Sequence, residues 1–221
     1  MSVFQYNPAY AKSWSEGVIE CLTGASDSIK VCSDRFSEAI NNLKNPLVWR
    51  GPGAKENLLN FRLVHNSLVE VMNNFGKVFR ETMQSFNTEV RNLESANTGG
   101  SNGSFGANFG ELNFTAIADF DDGTLNAIDT ETTAYDYNTI MNILGDVKST
   151  IRIVDEVFSK IKTKANELDN GSGQWDGVHA AQMKEEINRI ISKYQPELAQ
   201  LLNKCHESMT TAAENARPFS V

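Results

Sequence analysis

Apolar residues recur at steps of three and four along four separate stretches of this chain, and that period restricts each stretch to an amphipathic α-helix. In the first, Trp14, Val18, Cys21, Ala25, Ile29, Cys32, Phe36, Ala39 and Leu43 form a seam over four heptads. Asn45-Pro46 ends it, because the residue before a proline is pushed out of the helical region. The second begins after Pro52 and carries Phe61, Val64, Leu68, Val71, Phe75, Val78 and Phe86. Gly76 inside it predicts a weak point, not a break, and Thr98-Gly99-Gly100-Ser101-Asn102-Gly103 stops the pattern. The third runs through Tyr137, Ile140, Leu144, Val147, Ile151, Val154, Phe158, Ile161, Ala165 and Leu168 to Asn170-Gly171-Ser172-Gly173. The fourth spans about Val178 to Ala216, with Ile187, Ile190, Tyr194, Leu198, Leu201, Cys205 and Met209 on one face. Pro196 removes a backbone donor from it and predicts a kink near Lys193.

Helices on the order of 45–60 Å long, each with a single apolar seam, bury those seams against one another when joined by tight turns. The expected fold is therefore all-α: an elongated antiparallel four-helix bundle made of two tandem helix-turn-helix hairpins. Residues 1–95 form the first hairpin and 137–221 the second. Residues 96–136 between them begin as a Gly/Asn-rich linker, over Thr98 to Gly110. The stretch with Leu112, Phe114, Ile117, Phe120, Leu125 and Ile128 is too apolar for linker alone. Part of it is expected to fold against the helices as a short helix or hairpin; a connection of this length is commonly functional or disordered.

The two hairpins repeat each other. Placing Trp49 on Trp175 aligns Ala54 with Ala180, Phe61 with Ile187, Val64 with Ile190, Phe75 with Leu201 and Met83 with Met209. Both turns carry Trp-x-Gly: Trp49-Arg50-Gly51 and Trp175-Asp176-Gly177. Gly51 and Gly177 can take positive φ without a Cβ clash. Trp49 and Trp175 can fold their rings over the open end of the seam as packing residues; display of the motif to a partner is the functional alternative.

Two long helices joined by Trp-x-Gly resemble the WXG-type, early-secreted-antigen-like proteins of bacterial type VII secretion. The resemblance covers the chain except residues 96–136. It implies helical hairpins that pair as antiparallel four-helix dimers, here fused in one chain, and a virulence-associated, secreted class of protein. It also leads one to look for a Tyr or Phe followed four residues later by Asp or Glu after the second helix, an element that helps direct export. Tyr10 leads to Trp14, Tyr135 to Thr139, Tyr137 to Met141 and Tyr194 to Leu198, so the element is not found. Either a partner supplies the signal or the protein works inside the cell as an escort.

A net charge of −8 argues against nucleic acid and against an anionic membrane surface, both of which need a Lys/Arg surplus. Charges interrupt every apolar stretch short of the ~20 residues that span a bilayer, so no membrane insertion is expected. Met1 to Trp14 lacks the basic start and apolar run of a Sec-type signal. The expected location is the bacterial cytoplasm, with secretion by a route that needs no Sec signal peptide as the alternative. Cys21 and Cys32 share a helix face about 16 Å apart, far beyond disulfide reach; with Cys205 they are expected to be small buried apolar residues.

No constellation suggests an active site, and no cofactor is expected. His65, His179 and His206 have no metal-ligand spacing. His206 beside Cys205 points about 100° away from it on a helix. In Asp119-Phe120-Asp121-Asp122-Gly123 the glycine falls at place five of a calcium loop that needs it at six, which favours an Asp-rich turn. Gly51-Pro52-Gly53-Ala54-Lys55 lacks the spacing of a P-loop. The reading is a non-enzymatic interaction module whose partners are proteins, a secretion-system component or a cargo toxin. The fused hairpins would be a monomer with an internal pseudo-dimer, with exchange into a homodimer as the alternative. A toxin or effector activity in residues 112–136 is one competing reading; deleting residues 97–134 should leave folding largely intact under the first. A generic helical scaffold is another.

Overall fold

The computed structural model describes residues 5–98 and 112–219, and the chain is predominantly helical. In order, β1 (Gln5–Tyr6) leads into α1 (Pro8–Asn42), and β2 (Trp49–Arg50) into α2 (Ala54–Thr98). A short α3 (Asp122–Ile128) and β3 (Ala134–Tyr135) precede α4 (Tyr137–Asn166), and β4 (Trp175–Asp176) precedes α5 (Val178–Ala216). A 3-10 turn at Arg217–Phe219 follows. Most of the Gly/Asn-rich stretch, residues 99–111, lies outside the described residues, as does the side chain of Cys32.

Local chemistry sets the helix ends. Asn7 Oδ1 accepts from the Ala9 and Tyr10 amides (3.0 and 3.3 Å), and Pro8, which has no N–H to satisfy, opens α1. Asp136 caps α4 in the same way, accepting from the Thr139 amide and hydroxyl (3.1 and 3.0 Å). The Asp-rich turn is a third cap: Asp121 accepts from the Thr124 amide at 2.8 Å and its hydroxyl at 2.6 Å, which holds its carboxyl below the usual range. Past the end of α4 the Glu167 and Leu168 amides turn back to the Lys164 and Ala165 carbonyls (3.2 and 3.1 Å), and Asp169 then takes φ 45° with its amide on the Trp175 carbonyl at 3.0 Å.

The described chain divides into two compact units, each drawing on both hairpins. Unit 1 comprises Met1–Asp27, Asn73–Asn113 and Asp155–Pro196; unit 2 comprises Ser28–Met72, Phe114–Val154 and Glu197–Val221. In unit 1 the ring of Phe75 lies 4.9 Å from Phe158 and 5.8 Å from Tyr194, so α2, α4 and α5 meet there, with buried Trp14 and Val18 from α1. The core of unit 2 takes Phe36 and Ile40 from α1, Phe61 and Leu68 from α2, Ile140 and Val147 from α4, and Leu198 and Leu202 from α5.

The seams differ from the sequence reading at a few positions. Leu202, not Leu201, is fully buried, and Cys21, Val64, Val78 and Phe86 are only half-buried. The helix containing Pro196 is continuous. Gly76 leaves α2 unbroken, and a Cβ placed there would lie 2.6 Å from Leu112 Cγ. The glycine makes room for Leu112, which explains its place in mid-helix. The apolar part of the insert is ordered: Phe114, Ile117, Leu125 and Ile128 are all buried in unit 2. Deleting residues 97–134 would strip those four side chains from the core, so the deletion is expected to destabilise unit 2.

Candidate functional site: the Trp-x-Gly turns

Each Trp-x-Gly turn is closed by the segment that precedes the first helix of the other hairpin. Trp49 and Arg50 pair antiparallel with Tyr135 and Ala134, and the Asp136 amide donates to the Val48 carbonyl at 2.8 Å. Trp175 and Asp176 pair with Tyr6 and Gln5, and the Asn7 amide donates to the Gln174 carbonyl at 2.7 Å. The two closures are built from equivalent parts: an aromatic residue in the strand, then the side chain that caps the following helix. Tyr6-Asn7 plays that part for the second turn and Tyr135-Asp136 for the first.

Within unit 2, Trp49 is buried and its ring stacks on Phe61 at 5.9 Å. Gly51 has φ 134°, and its amide donates to the Ile128 carbonyl at 2.9 Å. A Cβ on Gly51 would sit 2.9 Å from Thr133 Oγ1, so the glycine is required for conformation and for space. Thus α3 and the strand after it cover this turn. The Tyr135 ring is buried there, and desolvation pushes its phenol up to about 12.

Within unit 1, Trp175 is buried edge-on to Trp14 (5.7 Å) and Tyr6 (5.4 Å). Trp14 Nε1 donates to the Lys164 carbonyl at 2.8 Å and the Tyr10 hydroxyl to the Glu167 carbonyl at 3.4 Å. The Lys164 carbonyl also accepts from the Glu167 amide at 3.2 Å, so Trp14 takes its second lone pair, and the Tyr10 hydroxyl serves the last turn one step further on. Gly177 has φ 113°, and its amide donates to Asp169 Oδ1 at 3.0 Å. Asp176, the middle residue of the motif, accepts from the Gly171 and Gly173 amides at 2.9 and 2.5 Å, holding the loop in place. The second turn is therefore tied by its own loop, whereas the first is tied by the insert.

All four motif residues, Trp49, Gly51, Trp175 and Gly177, lie where backbone conformation and aromatic packing need them. Tyr6, Asn7, Tyr135 and Asp136 belong to the same constructions and are not marked by helical period. Their one signal was an aromatic residue followed by a capping residue just before each hairpin. Beside Trp175, a small apolar pocket is lined by Tyr6, Phe86, Val90 and Met183, with Glu89 and His179 at 3.9 Å from one another. Among the described residues no group of three or more His, Cys, Asp or Glu could hold a metal ion, and no helix is long and apolar enough to cross a membrane. Cys21 and Cys205 are free, and burial pushes the Cys205 thiol up to about 12.

No protein-family model matches the chain, and no curated protein or solved structure matches it either.

Proposed function

We propose that this chain is a protein-interaction module without enzymatic chemistry, a fused counterpart of a WXG-type dimer. In this reading it acts in bacterial type VII secretion as a substrate, or as partner and escort of a larger cargo. The observation that supports it most is the reciprocal closure of the two Trp-x-Gly turns: each is hydrogen-bonded to the strand that opens the other hairpin. In a dimer of separate hairpins each chain would supply that strand to its partner. Fusion makes the exchange intramolecular, where effective concentration replaces bimolecular affinity. An antiparallel four-helix bundle is the arrangement this reading implies, with all four seams feeding a shared core.

The test is genetic and biochemical. In the native bacterium, the chain, or a cargo that co-purifies with it, should disappear from the culture medium when the secretion ATPase is inactivated. Unchanged export of both would remove the reading.

A further inference from the structure

We infer that the face of α2 around Arg62 and Asn66 is a docking site for an extended peptide, filled in cis by Phe114–Phe120, and that a protein partner presenting an extended segment of the same chemistry takes the strap's place. The inference concerns unit 2 alone and does not depend on the secretion reading.

Asn66 grips the main chain of Ile117 from both sides. Its Oδ1 accepts from the Ile117 amide at 2.7 Å, and its Nδ2 donates to the Ile117 carbonyl at 3.0 Å. Arg62 Nε donates to that same carbonyl at 3.1 Å. All three bonds address backbone groups, so they recognise an extended chain in a fixed register and do not read the side chain at that position. A helix could not occupy the site, because its amides and carbonyls are already bonded to one another. Asn66 is itself held: its Oδ1 lies 3.3 Å from His65 Nδ1.

Selectivity comes from what flanks the grip. Phe114 and Ile117 are buried, whereas Thr115 and Ala116 between them and Ala118 after them are exposed. The Arg62 guanidinium pairs with the Asp119 carboxylate and lies 5.7 Å from the centre of the Phe120 ring, which Lys44 Nζ approaches to 5.3 Å. The site therefore favours an apolar residue, a second one three places on, then an acidic and an aromatic residue at the fifth and sixth places after the first.

The strap is built to leave. Residues 112–121 belong to no helix or strand, so no backbone ladder holds them. The Asp119 side chain is 90% exposed, where an ion pair contributes little. Its seat lies on a helix of 45 residues that buries Leu58, Phe61, Leu68 and Met72 of its own. Two buried side chains and three side-chain-to-backbone bonds, with no ladder, hold a segment that opens locally, below the cost of global unfolding. A partner's segment then competes with the strap for a preformed site.

Two measurements test this. In native-state hydrogen exchange of the intact chain, the Ile117 amide should open at least a hundredfold more often than the slowest amides of Phe61–Met72; equal protection would mean the strap is permanent packing and would overturn the proposal. A fluorescein-labelled peptide of residues 113–121 should bind a full-length Phe114→Ala/Ile117→Ala variant at least tenfold more tightly than the unaltered chain, read by anisotropy. Adding Asn66→Ala to that variant should abolish the binding. Equal binding by all three proteins, or none by the opened variant at millimolar peptide, sinks the idea.

Discussion

At the scale of the residue, the two tryptophans are equivalent in the repeat but not in what surrounds them. Trp175 is 2% exposed between two aromatic rings and Trp49 is 7% exposed against one. Truncating a buried Trp costs about 3–5 kcal/mol. Chemical denaturation should place Trp175→Ala at the upper end of that range and Trp49→Ala below it. His65 supplies the pH dependence. Buried beside Ser33 and Asn66, it has a lowered pKa because burial disfavours the charged ring. The unfolded chain therefore takes up a proton that the folded one resists. Stability is fully present above the ordinary histidine value of about 6.5 and falls as pH drops below it toward the depressed folded value. Urea midpoints should decline between pH 7.5 and 5, and His65→Gln should flatten that decline. Cys205, buried and with its thiol pushed up to about 12, should resist maleimide in the native chain while half-buried Cys21 reacts.

At the scale of the element, period alone located four long helices, and a fifth, short one came from a cap that period does not report. The α4 seam is buried at Ile140, Leu144, Val147, Val154, Phe158 and Ile161, whereas Ile151 is half-buried and Tyr137, at its start, is exposed. In α5 the seam reaches Leu202 in place of Leu201. Steps of three then four, or four then three, both carry a helix face from Leu198 to Cys205, and only the facing helices choose between them. Glycines divide in the same way. Gly145 has open space where a Cβ would go, whereas one at Gly76 would strike Leu112. Alanine gains about 1 kcal/mol over glycine in a helix. Gly145→Ala should therefore raise the melting temperature, while Gly76→Ala should lower it despite its better propensity. Failure of the two to differ in sign would mean Leu112 is free to move aside.

At the scale of the whole molecule, the proposed fusion of two hairpins predicts a monomer at micromolar concentration. Light scattering checks this, and an obligate dimer would mean that the strands are exchanged between chains. Removing residues 97–134 should cost several kcal/mol, because burying one large apolar side chain is worth about 1.5–3 kcal/mol and the insert buries four; retention of full stability by the deletion variant would show that unit 2 closes without them. The amino-acid sequence by itself determined the helical class, the four long helices and the two Trp-x-Gly turns, since all of these follow from local period and local backbone freedom. Only the tertiary structure decided which strand closes which turn. A two-residue pairing such as Tyr6 with Trp175 joins positions 169 apart and leaves no periodic trace in either segment. It exists because the helices that follow bring those residues together, and no short-range rule encodes that encounter.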